Sequence, residues 1–200
     1  MLLGDGGRDA ALLHVIRWAI HDIAPSVPLQ EPAVFKKHWG DLVTEIPKAA
    51  EEFAPDLLFV HRDAERIPLG ERLAQIPTDG GRIVRVVPVR MTEAWLLIDE
   101  SALRHAAGNP HGREPLLLPS SRRLEQVKAP KAVLAAAFLA AGGQPTGRRR
   151  SRVRRDESSW AERVASVIVD FAPLRDLSSF QAFESELQQR LDEWRASVSE

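Results

Sequence analysis

Residues 56–65 read Asp-Leu-Leu-Phe-Val-His-Arg-Asp-Ala-Glu, and no other stretch constrains the fold so tightly. A short apolar run, 57–60, closed off by charged residues predicts a strand buried on both faces, the kind found inside a parallel sheet. It runs directly into His61, Arg62, Asp63, Ala64 and Glu65. In open α/β sheets ligands bind at the carboxyl ends of the strands. If the chain stays extended, Asp63 and Glu65 point the same way, because side chains alternate along a strand. Two acidic side chains at such a point can share one hard cation, Mg²⁺ or Mn²⁺.

The chain on either side supplies the rest of such a fold. Residues 1–3 form a short apolar stretch, broken by Gly4-Asp5-Gly6-Gly7. Residues 9–23 follow at helical spacing, with Leu12, Leu13, Ile16, Ala19, Ile20 and Ile23 on one face. Asp9 is a candidate cap or first-turn acid of that helix. The proline-rich residues 25–32 read as a connector, and 35–53 as a helical region interrupted near Pro47. Residues 67–76 read as a short helix. Residues 82–89 are β-branched and read as a strand that Pro88 ends. Thr92 is placed to cap a helix over 92–107 that begins with Glu93, with Asp99 a turn and a half further on. Helices are also predicted over 130–141, 160–169 and 179–198.

Alternation of strands and helices, followed by helices alone, predicts an α/β fold. The expected architecture is a small parallel sheet flanked by helices over residues 1–108. A helical C-terminal part, 109–200, packs on that core, or the two form one single domain. The 200 residues suffice for either.

Composition narrows the function classes. Lys and Arg number 27 against 28 Asp and Glu, a net charge of −1, so any basic surface must be local. Cysteine is absent, which excludes disulfides and thiolate metal sites and suits a cytoplasmic protein. The first residues lack the basic flank and apolar core of a signal peptide, and no run is long enough to span a membrane. The one clear charge cluster is Arg148, Arg149, Arg150, Arg152, Arg154 and Arg155, a candidate surface for a nucleic-acid backbone. The six histidines show no zinc spacing and read as structural or surface residues, with His61 beside the candidate site as the exception. His61-Arg62-Asp63 matches the start of a kinase catalytic loop, but the downstream asparagine and Asp-Phe-Gly are missing. Trp95 reads as core packing rather than a stacking platform.

Three strand ends thus each deliver an acid: Asp5, the pair Asp63 and Glu65, and Glu93. Carboxylates gathered together raise one another's pKa unless a cation compensates, so convergence of these acids points to a metal site. Asp63, Glu65 and Glu93 are the candidate ligands.

An acid in a glycine-rich turn after the first strand, then an Asp-x-acid pair after a hydrophobic strand, resembles the Toprim domain. That fold occurs in topoisomerases, primases and nucleases of the OLD type. More closely, 2–13, 57–65, 87–99, the helix at 129–134 and 174–187 together resemble a prokaryotic Toprim-like family known only as a domain of unknown function. The most specific piece is Glu-Ala-Trp-Leu-Leu-Ile-Asp at 93–99. The resemblance implies that Asp5 moves a proton, as general acid or base, and that Asp63 and Glu65 hold Mg²⁺. Two departures stand out: Asp5 replaces the usual Glu, and Asp-x-Glu the usual Asp-x-Asp. It further implies a nuclease or phosphodiesterase acting on DNA or RNA. Anti-phage defence beside an AAA- or ABC-type ATPase is the implied setting. The alternative is a catalytically degenerate module of the same fold that binds the ATPase or nucleic acid without cutting.

Overall fold

The computed structural model describes residues 1–30, 33–38, 40–78, 82–143, 147, 151 and 159–198. The six arginines of the basic cluster lie outside the described residues.

Four strands make one parallel sheet: β1 (Leu2–Gly4), β2 (Phe35–Lys37), β3 (Leu58–His61) and β4 (Ile83–Val86), in the order β2-β1-β3-β4. Leu2 pairs with Phe35 on one side and Phe59 on the other, and Phe59 pairs with Val84. The fold is therefore α/β with a parallel sheet, as the alternation of apolar runs predicts. The inner strands β1 and β3 are short and apolar because both faces are covered, whereas the edge strand β2 is half-buried.

Side-chain alternation sorts the strands into two cores. Leu2, Phe59, Val84 and Val86 face one side, with α1 (Leu12–Ile23) and the C-terminal helices. Leu3, Leu58, Val60 and Ile83 face the other, with α2 (Leu42–Phe53) and Ile76 after α3 (Leu69–Ala74). The first core is continuous from Leu2 to Leu191. Trp95 lies at its heart, fully buried, edge-on to Phe180 at 5.4 Å, with its indole N–H donating to Ser179 Oγ at 3.3 Å. Full burial of an apolar side chain of this size stabilises by roughly 1.5–3 kcal/mol.

The remaining helices are α4 (Thr92–Trp95), α5 (Glu100–Ala106), α6 (Pro130–Ala141), α7 (Trp160–Ala165) and α8 (Ser178–Val198). On α8, Phe180, Phe183, Leu187 and Leu191 form the buried stripe. Arg85 of β4 donates to Glu186 at 3.0 Å, and Arg190 donates to the Ile83 carbonyl at 3.2 Å, tying α8 to the last strand.

Three local readings change. Residues 35–37 are an edge strand, not helix, because β1 offers them a parallel ladder. Helix α2 then runs unbroken through Pro47, with Asp41 capping it by accepting from the Val43 N–H at 3.3 Å. The region 92–107 splits into α4 and α5, because Asp99 is extended and caps the second by accepting from Ala102 N–H at 2.9 Å.

Candidate functional site at the carboxyl ends of the strands

With the order 2-1-3-4, the strand connections reverse direction between β1 and β3, where open parallel sheets form their ligand crevice. A cleft of about 340 Å³ lies there, lined by Asp5, Gly6, Asp9, Asp63, Thr92 and Glu93, among others. Lys131, from the first turn of α6, also reaches it.

The β1 end is shaped by Gly4. A Cβ at that position would stand 2.9 Å from the Phe35 ring and 3.0 Å from Asp9 Cβ. Glycine there lets the following turn fold back over the strand. Asp9 is the third residue of a short 3₁₀ segment (Gly7–Ala11), and its carboxylate accepts from the Gly6 N–H at 2.7 Å.

The β3 end carries the centre of the network. His61 is the last strand residue and is fully buried. Its Nε2 lies 3.2 Å from Asp63 Oδ1 and 3.1 Å from Thr92 Oγ1. Its Nδ1 lies 3.1 Å from Asp9 Oδ2, an ion-pair contact off the line of a good hydrogen bond. Thr92 completes the ring: its N–H donates to Asp63 Oδ1 at 2.8 Å, and its hydroxyl reaches the same oxygen at 3.3 Å. One imidazole thus ties together the loops after β1, β3 and β4.

Burial pushes the His61 pKa down, but the hydrogen bonds and charges of Asp63 and Asp9 outweigh it and raise the value from 6.5 to about 10. Burial likewise pushes Asp9 up, and its bonds to His61 and Gly6 more than reverse this, leaving it below its ordinary value. His61 is therefore a cation at neutral pH. Part of the charge compensation that the gathered carboxylates need is thus built into the protein.

Asp5 stands at the cleft mouth, 40% exposed. One oxygen contacts His38 Nε2 and the other lies 3.5 Å from Arg62 Nε.

Of the acids expected to converge, Asp5, Asp63 and Glu93 line one cleft. Glu65 is not among its lining residues. The β3–β4 hydrogen bonding continues to Glu65, whose N–H donates to the Arg90 carbonyl at 2.7 Å. There the backbone takes a left-handed φ of 54°, which ends the alternation that would have kept Glu65 beside Asp63. The Glu65 carboxylate is 71% exposed and 4.0 Å from Arg72 Nη2.

The residues that sequence reasoning undervalued are His61, Asp9 and Thr92, which form the network, and His38 and Lys131, which border it. A signal existed for His61: a titratable residue closing an otherwise apolar buried strand must find buried partners. Asp9 and Thr92 read as helix caps because capping is the commoner use of those residue types.

Among the described residues, no group of three or more His, Asp or Glu is placed so that it could hold a metal ion. Mg²⁺, however, is usually held by one or two carboxylates, keeping waters and substrate phosphate as its other ligands. Asp63 and Glu93 are oxygen donors of the type that such sparse coordination uses, and Asp5 lines the same cleft. Comparison with protein-family models, with curated proteins and with solved structures finds no match to this chain.

Proposed function

We propose that this protein is a Toprim-like, Mg²⁺- or Mn²⁺-dependent phosphodiesterase acting on DNA or RNA. The observation that carries the reading is the meeting of Asp5, Asp63 and Glu93 in one cleft at the β1/β3 crossover point. Asp63 and Glu93 are the residues that would hold the cation. When bound there, a divalent ion polarises a phosphodiester and screens its charge. Asp5, the most exposed of the acids bordering His61 and Arg62, takes the proton from the attacking water. Lys131 supplies a positive charge where a phosphate must approach an otherwise acidic wall. The six arginines at 148–155 remain the proposed backbone-binding surface. The resemblance to Toprim domains adds the proposal of an ATPase partner and a role in defence.

One observation favours a second reading. His61 already neutralises much of the charge on Asp9 and Asp63, so the cleft is tolerable without metal. Together with the departure of Glu65, this suits a degenerate Toprim-like module that binds an ATPase or nucleic acid without cutting.

The test is cleavage of single- and double-stranded DNA and RNA with Mg²⁺ or Mn²⁺, comparing wild type with Asp63→Ala. Metal-dependent product from the wild type alone supports the enzyme. Equal product yields from the two proteins, or metal-independent binding without cleavage, favour the second reading.

A further inference from the structure

Resting on the reading of Asp5 as the proton acceptor, we infer that His38 is its positioning residue, so that the reactive carboxylate is one half of an Asp5–His38 dyad. Strand register builds the pair. Leu2, Leu3 and Gly4 of β1 stand opposite Phe35, Lys36 and Lys37 of β2. The next residue on each chain is Asp5 and His38, and the ladder extends to them through the His38 N–H, which donates to the Gly4 carbonyl at 3.0 Å. Two adjacent parallel strands therefore deliver an acid and an imidazole to the same level at the carboxyl edge.

His38, one residue past the half-buried edge strand β2, is only 8% exposed. Its Nε2 contacts Asp5 Oδ1. That contact is an ion-pair contact rather than a well-directed hydrogen bond, and neither ring nitrogen has a hydrogen-bond partner among the described residues. A purely structural histidine buried so deeply is ordinarily satisfied at both nitrogens. Here the described contact is spent on one carboxylate, with Arg62 3.5 Å from that carboxylate's second oxygen. A cationic or polar nitrogen thus stands beside each oxygen of Asp5, which stays open to the cleft. An exposed aspartate without such partners would sample several rotamers. His38 touches neither the cleft nor any substrate, so its effect runs through Asp5.

Two measurements separate this inference from the activity it rests on. The first needs no activity: long-range ¹H–¹⁵N spectra of the histidine rings. The wild type is expected to carry the His38 proton on Nε2, facing Asp5. Asp5→Asn should move the His38 nitrogen shifts and leave those of His61 in place, which also controls for folding. His38 shifts that ignore Asp5→Asn overturn the inference, whatever the protein cleaves. The second is cleavage kinetics. His38→Leu should lower kcat by about ten- to a hundredfold, the usual cost of losing a supporting partner, with KM little changed. His38→Gln, which keeps an amide donor near the Nε2 position, should recover most of the loss. Unchanged kcat in His38→Leu also overturns it. If the wild type cuts nothing while the ring shifts still respond to Asp5, the phosphodiesterase reading falls and the pairing stands.

Discussion

The two ends of the sheet hold cavities of similar size and opposite character. At the carboxyl end, the cleft of about 340 Å³ is walled by carboxylates, Thr92 and Lys131. At the amino end, a pocket of about 260 Å³ is walled largely by Leu13, Ile16, Ile20, Leu29, Phe59 and Leu191. Two of the polar groups there are satisfied on the spot. The Met1 ammonium donates to the Leu57 carbonyl at 3.1 Å, and the Trp194 N–H to Asp56 at 3.4 Å. At the carboxyl end the charged groups satisfy one another across three loops instead. The same β1 and β3 thus serve as packing surface at one end and as an electrostatic frame at the other. Disturbing the first end costs area; disturbing the second leaves charges without partners.

The largest expected effect follows from that difference. His61→Leu leaves the buried Asp9 and the half-buried Asp63 facing a hydrocarbon, and should lower unfolding free energy by about 3–5 kcal/mol in urea titrations. A loss below about 1 kcal/mol would mean that the carboxylates find other partners, and the contrast between the two ends would weaken.

Next is pH. The folded-state pKa of His61 lies above its ordinary value, so its contribution is fully present below pH 6.5 and lost as pH rises towards about 10. Wild-type stability should fall by on the order of 3–5 kcal/mol across that window, and His61→Gln should be nearly flat there. Asp9 has the opposite sign: its pKa is lowered on folding, so its contribution is lost as pH falls through the acid range. Parallel curves for wild type and His61→Gln would remove the imidazolium from the account.

A smaller effect sharpens the geometry. Gly4→Ala pushes a methyl into Phe35 and Asp9, and should cost about 1–3 kcal/mol by calorimetry. It should disturb the cleft network at the same time, seen as movement of the His61 ring shifts. The smallest effect is at the amino end. Val27→Ile adds one methyl group at the pocket wall and should stabilise by at most about 0.8 kcal/mol while leaving the His61 signals untouched.

The sheet was legible because its main strands sit on short apolar or β-branched runs: 57–60, closed by charged residues, and 82–89, ended by Pro88. Helix α6 and the stripe of α8 were legible from their spacing alone. The edge strand Phe35–Lys37 was not: its half-buried Phe-Lys-Lys carries no strand alternation and depends on β1 for its hydrogen bonds. In the candidate site, Asp5, Asp63 and Glu93 could be named because strand ends can be read. Glu65 groups with Asp63 only if the chain stays extended, and the left-handed residue that breaks the extension is not a glycine. The His61 network was out of reach for a different reason. Its partners lie 52, 2 and 31 residues away, and only the sheet order brings them to one imidazole.

In the proposed function a divalent cation and a phosphodiester meet between the loops after β1, β3 and β4. The direct measurement is an electron paramagnetic resonance titration with Mn²⁺ of wild type, the Asp63→Ala, Glu93→Ala double variant and Glu65→Ala. The account predicts that the wild type and Glu65→Ala bind alike and that the double variant binds at least about tenfold more weakly, a difference of about 1.4 kcal/mol. Equal Mn²⁺ binding by wild type and double variant would contradict it, as would a loss confined to Glu65→Ala.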